Sequence, residues 1–181
     1  MEKSLKLHLG CYNKKIHGFT NIDCRAEVHP DIVDDCAKLE KVVDGSVDLI
    51  YTSHMMEHLK RNESLFAMKR YYEVLKKHGK IYISVPDLEK VFKHYVLHED
   101  LRLLQNFLYG SQVHEADYHW TGWDFKTLKE DLESVGFKHV KRYDRWATDF
   151  AYHDDYSAAY LPHMDFKNGV LMSLNVEAIK E

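Results

Sequence analysis

Residues 47–91, VDLIYTSHMMEHLKRNESLFAMKRYYEVLKKHGKIYISVPDLEKV, spell out strand, helix and strand in turn. Residues 47–52 carry the β-branched and aromatic bias of a buried strand. Over residues 63–77 the apolar positions Leu65, Met68, Tyr72 and Leu75 recur at three and four residues. Asn62 stands ahead of that run, and Lys76, Lys77, His78 and Gly79 close it, which are the start and stop signals of an amphipathic helix. Residues 80–85 return to strand character, and Pro86, which has no amide hydrogen to offer a ladder, ends it. A helix between two strands is the crossover that makes strands parallel, so this stretch predicts an α/β fold, a mainly parallel sheet with helices on both faces.

The flanks extend the pattern. Leu5, Leu7 and Leu9 alternate with Lys6 and His8 up to Gly10, a first strand; residues 19–23 form a second, ending on Asp23, and residues 31–33 a third. The connection between the first two is too short for a crossover helix. Asp87 is predicted to cap a second helix carrying Leu88, Val91, Phe92 and Tyr95, whose pattern continues through Leu101, Leu104 and Phe107 to Gly110. Residues 111–123 read as a loop, residues 124–136 as a third helix, residues 137–143 as a strand, and Leu174, Val176 and Ala178 as the last strand. Residues 145–169 show no period but hold Trp146, Phe150, Tyr152 and Tyr156, and are predicted to form an ordered surface loop or lid that covers a pocket and is more mobile than the sheet.

The chain has 181 residues, 45% of them hydrophobic and 30% charged, which suits one domain over residues 1–181 with its own core. Cys11, Cys24 and Cys36 are too few and too clustered for a disulfide framework. No stretch is apolar for long enough to span a membrane, and the start MEKSLKLHLG lacks the apolar core of a secretory signal, so a soluble cytoplasmic protein is expected. A formal net charge of −4 gives no electrostatic reason to expect a nucleic-acid partner.

In order along the chain, KLHLGCYNKKIHGFTNID, HPDIVDDCAKL, VDLIYTSHMMEHL, YYEVLKKHGKIYISVPDLEKV and SLNVEAIK resemble class I S-adenosylmethionine-dependent methyltransferases of the type 11 branch. The resemblance implies a Rossmann-like, seven-stranded sheet, with S-adenosylmethionine lying across the carboxyl ends of its first strands. It implies methyl transfer to oxygen or nitrogen of a small-molecule or sugar-type acceptor. By the same resemblance Gly10 lets the backbone approach the methionine part of the cofactor, Asp23 takes the ribose hydroxyls, Asp35 and the Cys36 amide meet the adenine, and Ser53 and His54 line the sulfonium. By the same resemblance His8 at the end of the first strand, and Cys11 and Tyr12 in the turn after it, are further cofactor contacts. The family pattern has an acid where His8 stands and a second glycine where Tyr12 stands, so the Tyr12 ring must point away, stack on the adenosine or fill the groove.

A hydroxyl acceptor must lose a proton, and His54, His58 and His119 are the candidate bases, with Glu57 or Asp117 to orient one of them. The segment from His114 to Trp123 resembles the part of the family that crosses near the acceptor. A rival reading takes His54-Met55-Met56-Glu57-His58 as the HxxEH string of inverted zinc hydrolases. That motif needs a long helix, whereas residues 47–52 read as a strand, so no metal is expected. A third reading keeps the fold as a non-catalytic binding protein, on the strength of Tyr12 and His8.

Overall fold

A computed structural model describes residues 4–181; Met1, Glu2 and Lys3, the first residues of the N-terminal stretch read above, lie outside the described residues. Its strands and helices, in chain order, begin with β1 (Lys6–Leu9), β2 (Thr20–Asp23), β3 (Ile32–Val33), β4 (Val47–Ser53), α1 (Arg61–Val74) and β5 (Leu75–Pro86). There follow α2 (Leu88–His98), α3 (Leu101–Tyr109), α4 (Phe125–Ser134), β6 (Lys138–Arg142), the short β7 (Tyr160–Leu161) and β8 (Val170–Leu171), and β9 (Ser173–Ile179). Seven strands form one sheet in the order β3-β2-β1-β4-β5-β9-β6. β1 to β5 pair in parallel, and β9 runs antiparallel to both of its neighbours. The strand order reverses at β1, which sets the ligand-binding crevice of such sheets outside the carboxyl ends of β1 and β4.

Side chains alternate across this sheet. On one face Leu7, Leu9, Ile22, Ile50, Ile81 and Ile83 meet Met68 and Tyr71 of α1 and Leu128 and Leu132 of α4 in the main core. Each such buried side chain contributes about 1.5–3 kcal/mol. The Tyr71 hydroxyl, inside that core, donates to the Cys36 carbonyl at 2.9 Å.

The opposite face, at Phe19, Tyr51 and Tyr82, is covered by residues 143–158. Phe150 supplies the apolar contact, its ring 4.3 Å from Tyr51, 5.4 Å from Tyr82 and 6.1 Å from Phe19. The polar anchors are equally specific. Buried Arg145 donates to the carbonyls of Ala151 and His153 at 2.9 and 2.7 Å, Tyr51 donates its hydroxyl to Asp155, and Asn175 donates to the Ser157 carbonyl at 2.9 Å. The first half of the expected lid is therefore a packed cover of the sheet. It shows no period because it is held by single contacts, not by a repeating stripe. Its second half folds as the β7–β8 hairpin, with Leu161 beside Val91 and Leu104.

Three boundaries differ from the sequence reading. α1 stops at Val74 because the next residue, Leu75, pairs with Val47 in the ladder. The predicted second helix is divided where Glu99 turns left-handed (φ 53°) and Asp100 caps α3 by accepting from the Leu103 amide at 3.3 Å. Asp87 stands at the N-cap of α2, but its buried carboxylate takes Arg142 Nη1 at 3.1 Å and no helix amide.

Beneath the cover lies His8, which is 3% exposed, donates Nδ1–H to Asn21 Oδ1 at 3.1 Å and sits 5.6 Å from the His153 ring. Burial lowers its imidazole to about 4 from an ordinary 6.5.

Two consequences are measurable. Phe150→Ala, which uncovers Tyr51 and Tyr82, is expected to cost about 3–5 kcal/mol in urea unfolding; a loss below about 1 kcal/mol would show that the segment is loosely held. His8 remains neutral in the folded chain at pH values where the unfolded chain already takes up a proton. Stability is thus complete above about pH 6.5, falls by about 1.4 kcal/mol per pH unit towards pH 4, and loses no more to this group below it. His8→Gln should flatten that slope.

Candidate functional site

At the carboxyl edge, Gly10 (φ 68°) turns the chain out of β1, and the Gly10 and Cys11 amides donate to the Ile22 carbonyl at 2.9 and 3.1 Å. A Cβ at Gly10 would lie 2.5 Å from Met55 Cγ, so both backbone and neighbour demand glycine there. The Gly10 amide also faces Cys36 Sγ at 3.3 Å, tying β1 to the turn after β3.

Tyr12, at φ 42°, donates its amide to Asp23 Oδ2 at 2.8 Å, while its ring is 49% exposed and has the Arg25 guanidinium 4.7 Å from its centroid. Arg25 is thus the partner of that ring at the exposed edge. Arg25 in turn donates its amide and Nε to Asp23 Oδ1 at 3.0 and 3.2 Å. Asp23 is buried at the end of β2, and three of its roughly four acceptor positions are taken.

Beyond β3, Asp35 accepts from the Ala37 amide at 2.9 Å and pairs with Lys38 Nζ at 2.9 Å. Partial burial opposes its ionisation, yet Lys38 and that amide hold its carboxyl below the usual value. Its neighbour Asp34, which the sequence reading passed over, is the buried one and fixes the turn by accepting from the Asp35 and Lys41 amides, both at 2.9 Å. Cys11 and Cys36 are buried; burial pushes the first thiol up to about 11 and the second higher still, so neither is a thiolate at neutral pH. His8, expected at the cofactor, is packed beneath the 143–158 cover instead.

The second half of the site grows from the end of β4. Ser53 has a buried hydroxyl with no hydrogen-bond partner. His54, at φ 49°, is followed by the tight turn Met56–His58. The Trp120 and Thr121 amides donate to the Glu57 carbonyl at 2.8 and 3.2 Å, and Thr121 Oγ1 to the Leu59 carbonyl at 2.8 Å, which brings residues 118–121 against that turn. His119 consequently stands beside His58, ring centroids 4.9 Å apart. His58 Nδ1 faces the Tyr118 carbonyl at 3.1 Å and His119 Nδ1 the Phe107 carbonyl at 3.0 Å. A carbonyl only accepts, so both Nδ1 atoms carry the proton and both Nε2 atoms carry a free lone pair.

Glu57 lies among the three histidines and is 0% exposed. Its Oε1 is 3.0 Å from His54 Nδ1 in a poorly aligned contact, and neither carboxylate oxygen accepts a well-formed hydrogen bond. Burial opposes its charge, but His54, followed by His58 and His119, outweighs burial and holds the carboxyl below its ordinary value. His54 Nε2 meets Ser173 Oγ at 3.0 Å, and that hydroxyl already gives its one proton to the Tyr156 carbonyl at 2.6 Å. His54 thus faces an acceptor on either side and offers no open lone pair to a substrate proton. His119 differs. Burial lowers its imidazole against the opposing pull of Glu57 and the Phe107 carbonyl, so it is neutral at neutral pH with Nε2 open.

Of the residues expected here, His54, His58, His119 and Glu57 come together. Asp117 does not orient a histidine, because it accepts from Ser111 Oγ at 2.8 Å and the His114 amide at 3.3 Å. Nor do His54 and His58 form the helical ligand pair of the zinc-hydrolase motif, since a strand and a short turn carry them to different partners. Two surface hollows lie elsewhere, one of 110 Å³ beside Phe150 and Tyr82 and one of 480 Å³ beside Phe92 and Gly122.

Residues 19–83 match the family model described as a methyltransferase domain. No curated protein matches the chain in sequence. Among solved structures, the chain resembles an S-adenosylmethionine-dependent methyltransferase of Archaeoglobus fulgidus, with 14% identity, a TM-score of 0.60, and coverage of 98% of this chain and 86% of that one. It also resembles a possible histamine N-methyltransferase of Thermotoga maritima, with 12% identity, a TM-score of 0.62, and coverage of 100% and 84%. A third is the Haemonchus contortus phosphoethanolamine N-methyltransferase 2 in complex with S-adenosyl-L-methionine, at 14% identity and a TM-score of 0.54, covering 99% of this chain and 49% of that one. At these identities the likeness is one of fold.

Gly10→Ala tests the turn. A methyl group in a left-handed backbone and 2.5 Å from Met55 is expected to cost about 2–4 kcal/mol of stability in thermal unfolding. A neutral result would show that Met55 moves aside freely.

Proposed function

We propose, on the premise that this chain belongs to the class I S-adenosylmethionine-dependent methyltransferase family by its fold and its match over residues 19–83, that it binds S-adenosylmethionine across the carboxyl ends of β1, β2 and β4. The methyl group then passes to oxygen or nitrogen of a small-molecule or sugar-type acceptor beside the histidine cluster. The observation that carries this reading is the convergence of His54, His58 and His119 on buried Glu57 immediately past β4, at the edge where Gly10 turns out of β1.

Methyl transfer from a sulfonium is an in-line displacement, so the protein's work is alignment and, for a hydroxyl acceptor, removal of one proton. His119 suits the second task, being neutral with Nε2 free, while His54 and buried Glu57 lie in contact behind it. For alignment, Tyr118 and Trp120 stack with centroids 6.0 Å apart and, being exposed, offer faces to a ring-shaped acceptor. Tyr156, 5.7 Å from His54, offers another. Among the described residues no helix is long and apolar enough to cross a membrane, and a net charge of −4 favours a small acceptor over a nucleic acid. A cytoplasmic location agrees with this reading.

Asp23 serves both ribose hydroxyls only if the Arg25 side chain gives way, since the Tyr12 amide, the Arg25 amide and Arg25 Nε leave one open position on the carboxylate. That occupancy is also the one observation favouring a non-catalytic relative.

Calorimetric titration with S-adenosylmethionine and S-adenosylhomocysteine separates the two. The wild-type chain should bind both, Asp23→Ala should weaken binding by about 1.5–3 kcal/mol, and Arg25→Ala should bind at least as well as wild type because it removes the Nε–H from Oδ1 and leaves only the backbone amide there. Binding gained only in Arg25→Ala would favour the non-catalytic reading, and unchanged affinity in Asp23→Ala would move the cofactor elsewhere.

A further inference from the structure

Three side chains past β4 are arranged as ligands. Glu57 is fully buried with no well-formed hydrogen bond to either oxygen, a state that is costly unless something else compensates it. Donor atoms from Glu57, His58 and His119 all lie within 4.8 Å of one another. Both imidazoles have their Nδ1–H engaged by a backbone carbonyl, Tyr118 for His58 and Phe107 for His119, which leaves Nε2 as the free ligand atom. This is the outer-shell arrangement that fixes the tautomer and ring orientation of metal-binding histidines.

We propose that Glu57, His58 and His119 bind a divalent transition-metal ion, with Zn²⁺ the best match to two imidazoles and one carboxylate. The donor set is one of borderline softness, and with three protein ligands a fourth position is left for water or a ligand oxygen. Glu57 can serve the ion with one oxygen while the other keeps its contact with His54, so that contact and the metal do not compete. Half-buried His58 and His119 give the ion a route in from solvent. The ligands differ from the HxxEH pair considered in the sequence, because His119 and not His54 is the partner of His58. The site shares His119 with the proposed methyl transfer, because the Nε2 that would take the acceptor's proton is the atom that would hold the ion; S-adenosylmethionine binding at the Asp23 end is read separately, so the failure of either reading is distinguishable from that of the other.

The test is Zn²⁺ titration of the full chain after dialysis against a chelator, followed by calorimetry and by elemental analysis of the washed protein. One tight equivalent per chain is expected, along with a higher melting temperature in the presence of the ion. His58→Ala and His119→Ala should each weaken binding by more than about a hundredfold, beyond what loss of an outer-shell contact costs. His119→Asn, closer in shape, guards against a variant that fails to fold, with circular dichroism as the check. The competing pair is His94 and His98 on α2, whose rings are 4.2 Å apart, and His98→Ala should leave the tight equivalent in place. No saturable binding to the folded wild-type chain, tight binding that survives in folded His58→Ala and His119→Ala, or binding lost in His98→Ala would overturn the assignment.

Discussion

Only residues 10–19 separate β1 from β2, and a crossover helix does not fit in that span. Much of the molecule follows from this shortage. The sheet face that such a helix would cover carries Phe19, Tyr51 and Tyr82, apolar surface that must be taken from water by some other part of the chain. Residues 143–158 take that place with Phe150 at the centre and Arg145 bracing the loop from within. Because the cover crosses β1, His8 is sealed beneath it and becomes a packing residue, and Tyr156 and Asp154 are carried to the carboxyl edge, where Asp154 pairs with Lys14. A shortened connection at one end of the sequence thus fixes the conformation of a segment near the other.

The second constraint is the charge of Glu57. A buried carboxylate stripped of its partners costs about 3–5 kcal/mol, so the chain around it is arranged to keep partners in reach. His54 comes from the end of β4 itself. His119 comes from the loop after α3, held there because the Trp120 and Thr121 amides are hydrogen-bonded to the Glu57 carbonyl. Gly110 belongs to the same arrangement. With φ 75° and the Asp117 carbonyl so close that a Cβ would collide with it, it lets the loop fold back on α3 and bring His119 to the Phe107 carbonyl. The histidines are therefore part of what makes the turn after β4 stable as well as what gives the site its chemistry.

The sheet was legible because its signals are local: alternation in β1 and β9, the β-branched and aromatic run of β4 and the three-and-four spacing of α1 need no tertiary information. The break between α2 and α3 was hidden, since Leu101 and Leu104 continue the apolar pattern of α2 across Glu99, and only the left-handed turn of that residue reveals it. The cover was hidden for the opposite reason, because one phenylalanine and a set of single hydrogen bonds leave no repeat to read. In the site, the string around Glu57 was visible but its distant partner was only one of several histidines, and burial picked it out. Arg25 was missed altogether. The available signal was a cation two residues after the acid that ends β2, a spacing that lets the guanidinium turn back onto the carboxylate.

Asp23 and Glu57, at the ends of β2 and β4 with β1 between them, obey the same rule. Each is buried, and each has a basic side chain from its own stretch of chain beside it, Arg25 for the first and His54 for the second. Neither can lose its partner without a replacement, because an unpaired buried charge costs far more than any single new contact returns. For Asp23 the replacement demanded by the proposed cofactor is a pair of hydroxyl donors. One can take the Oδ1 position that the Arg25 side chain leaves and the other the open position on Oδ2, while the Arg25 and Tyr12 amides stay in place. Arg25 is partly exposed and can swing into water without stranding a charge, so the exchange runs between two fully compensated states. Glu57 has no such mobile partner, since His54 is locked between it and Ser173. A ligand at that end can only add to the existing arrangement. The crevice therefore has one end that exchanges partners and one that stays fixed, and a fixed end is what alignment of a reacting acceptor requires.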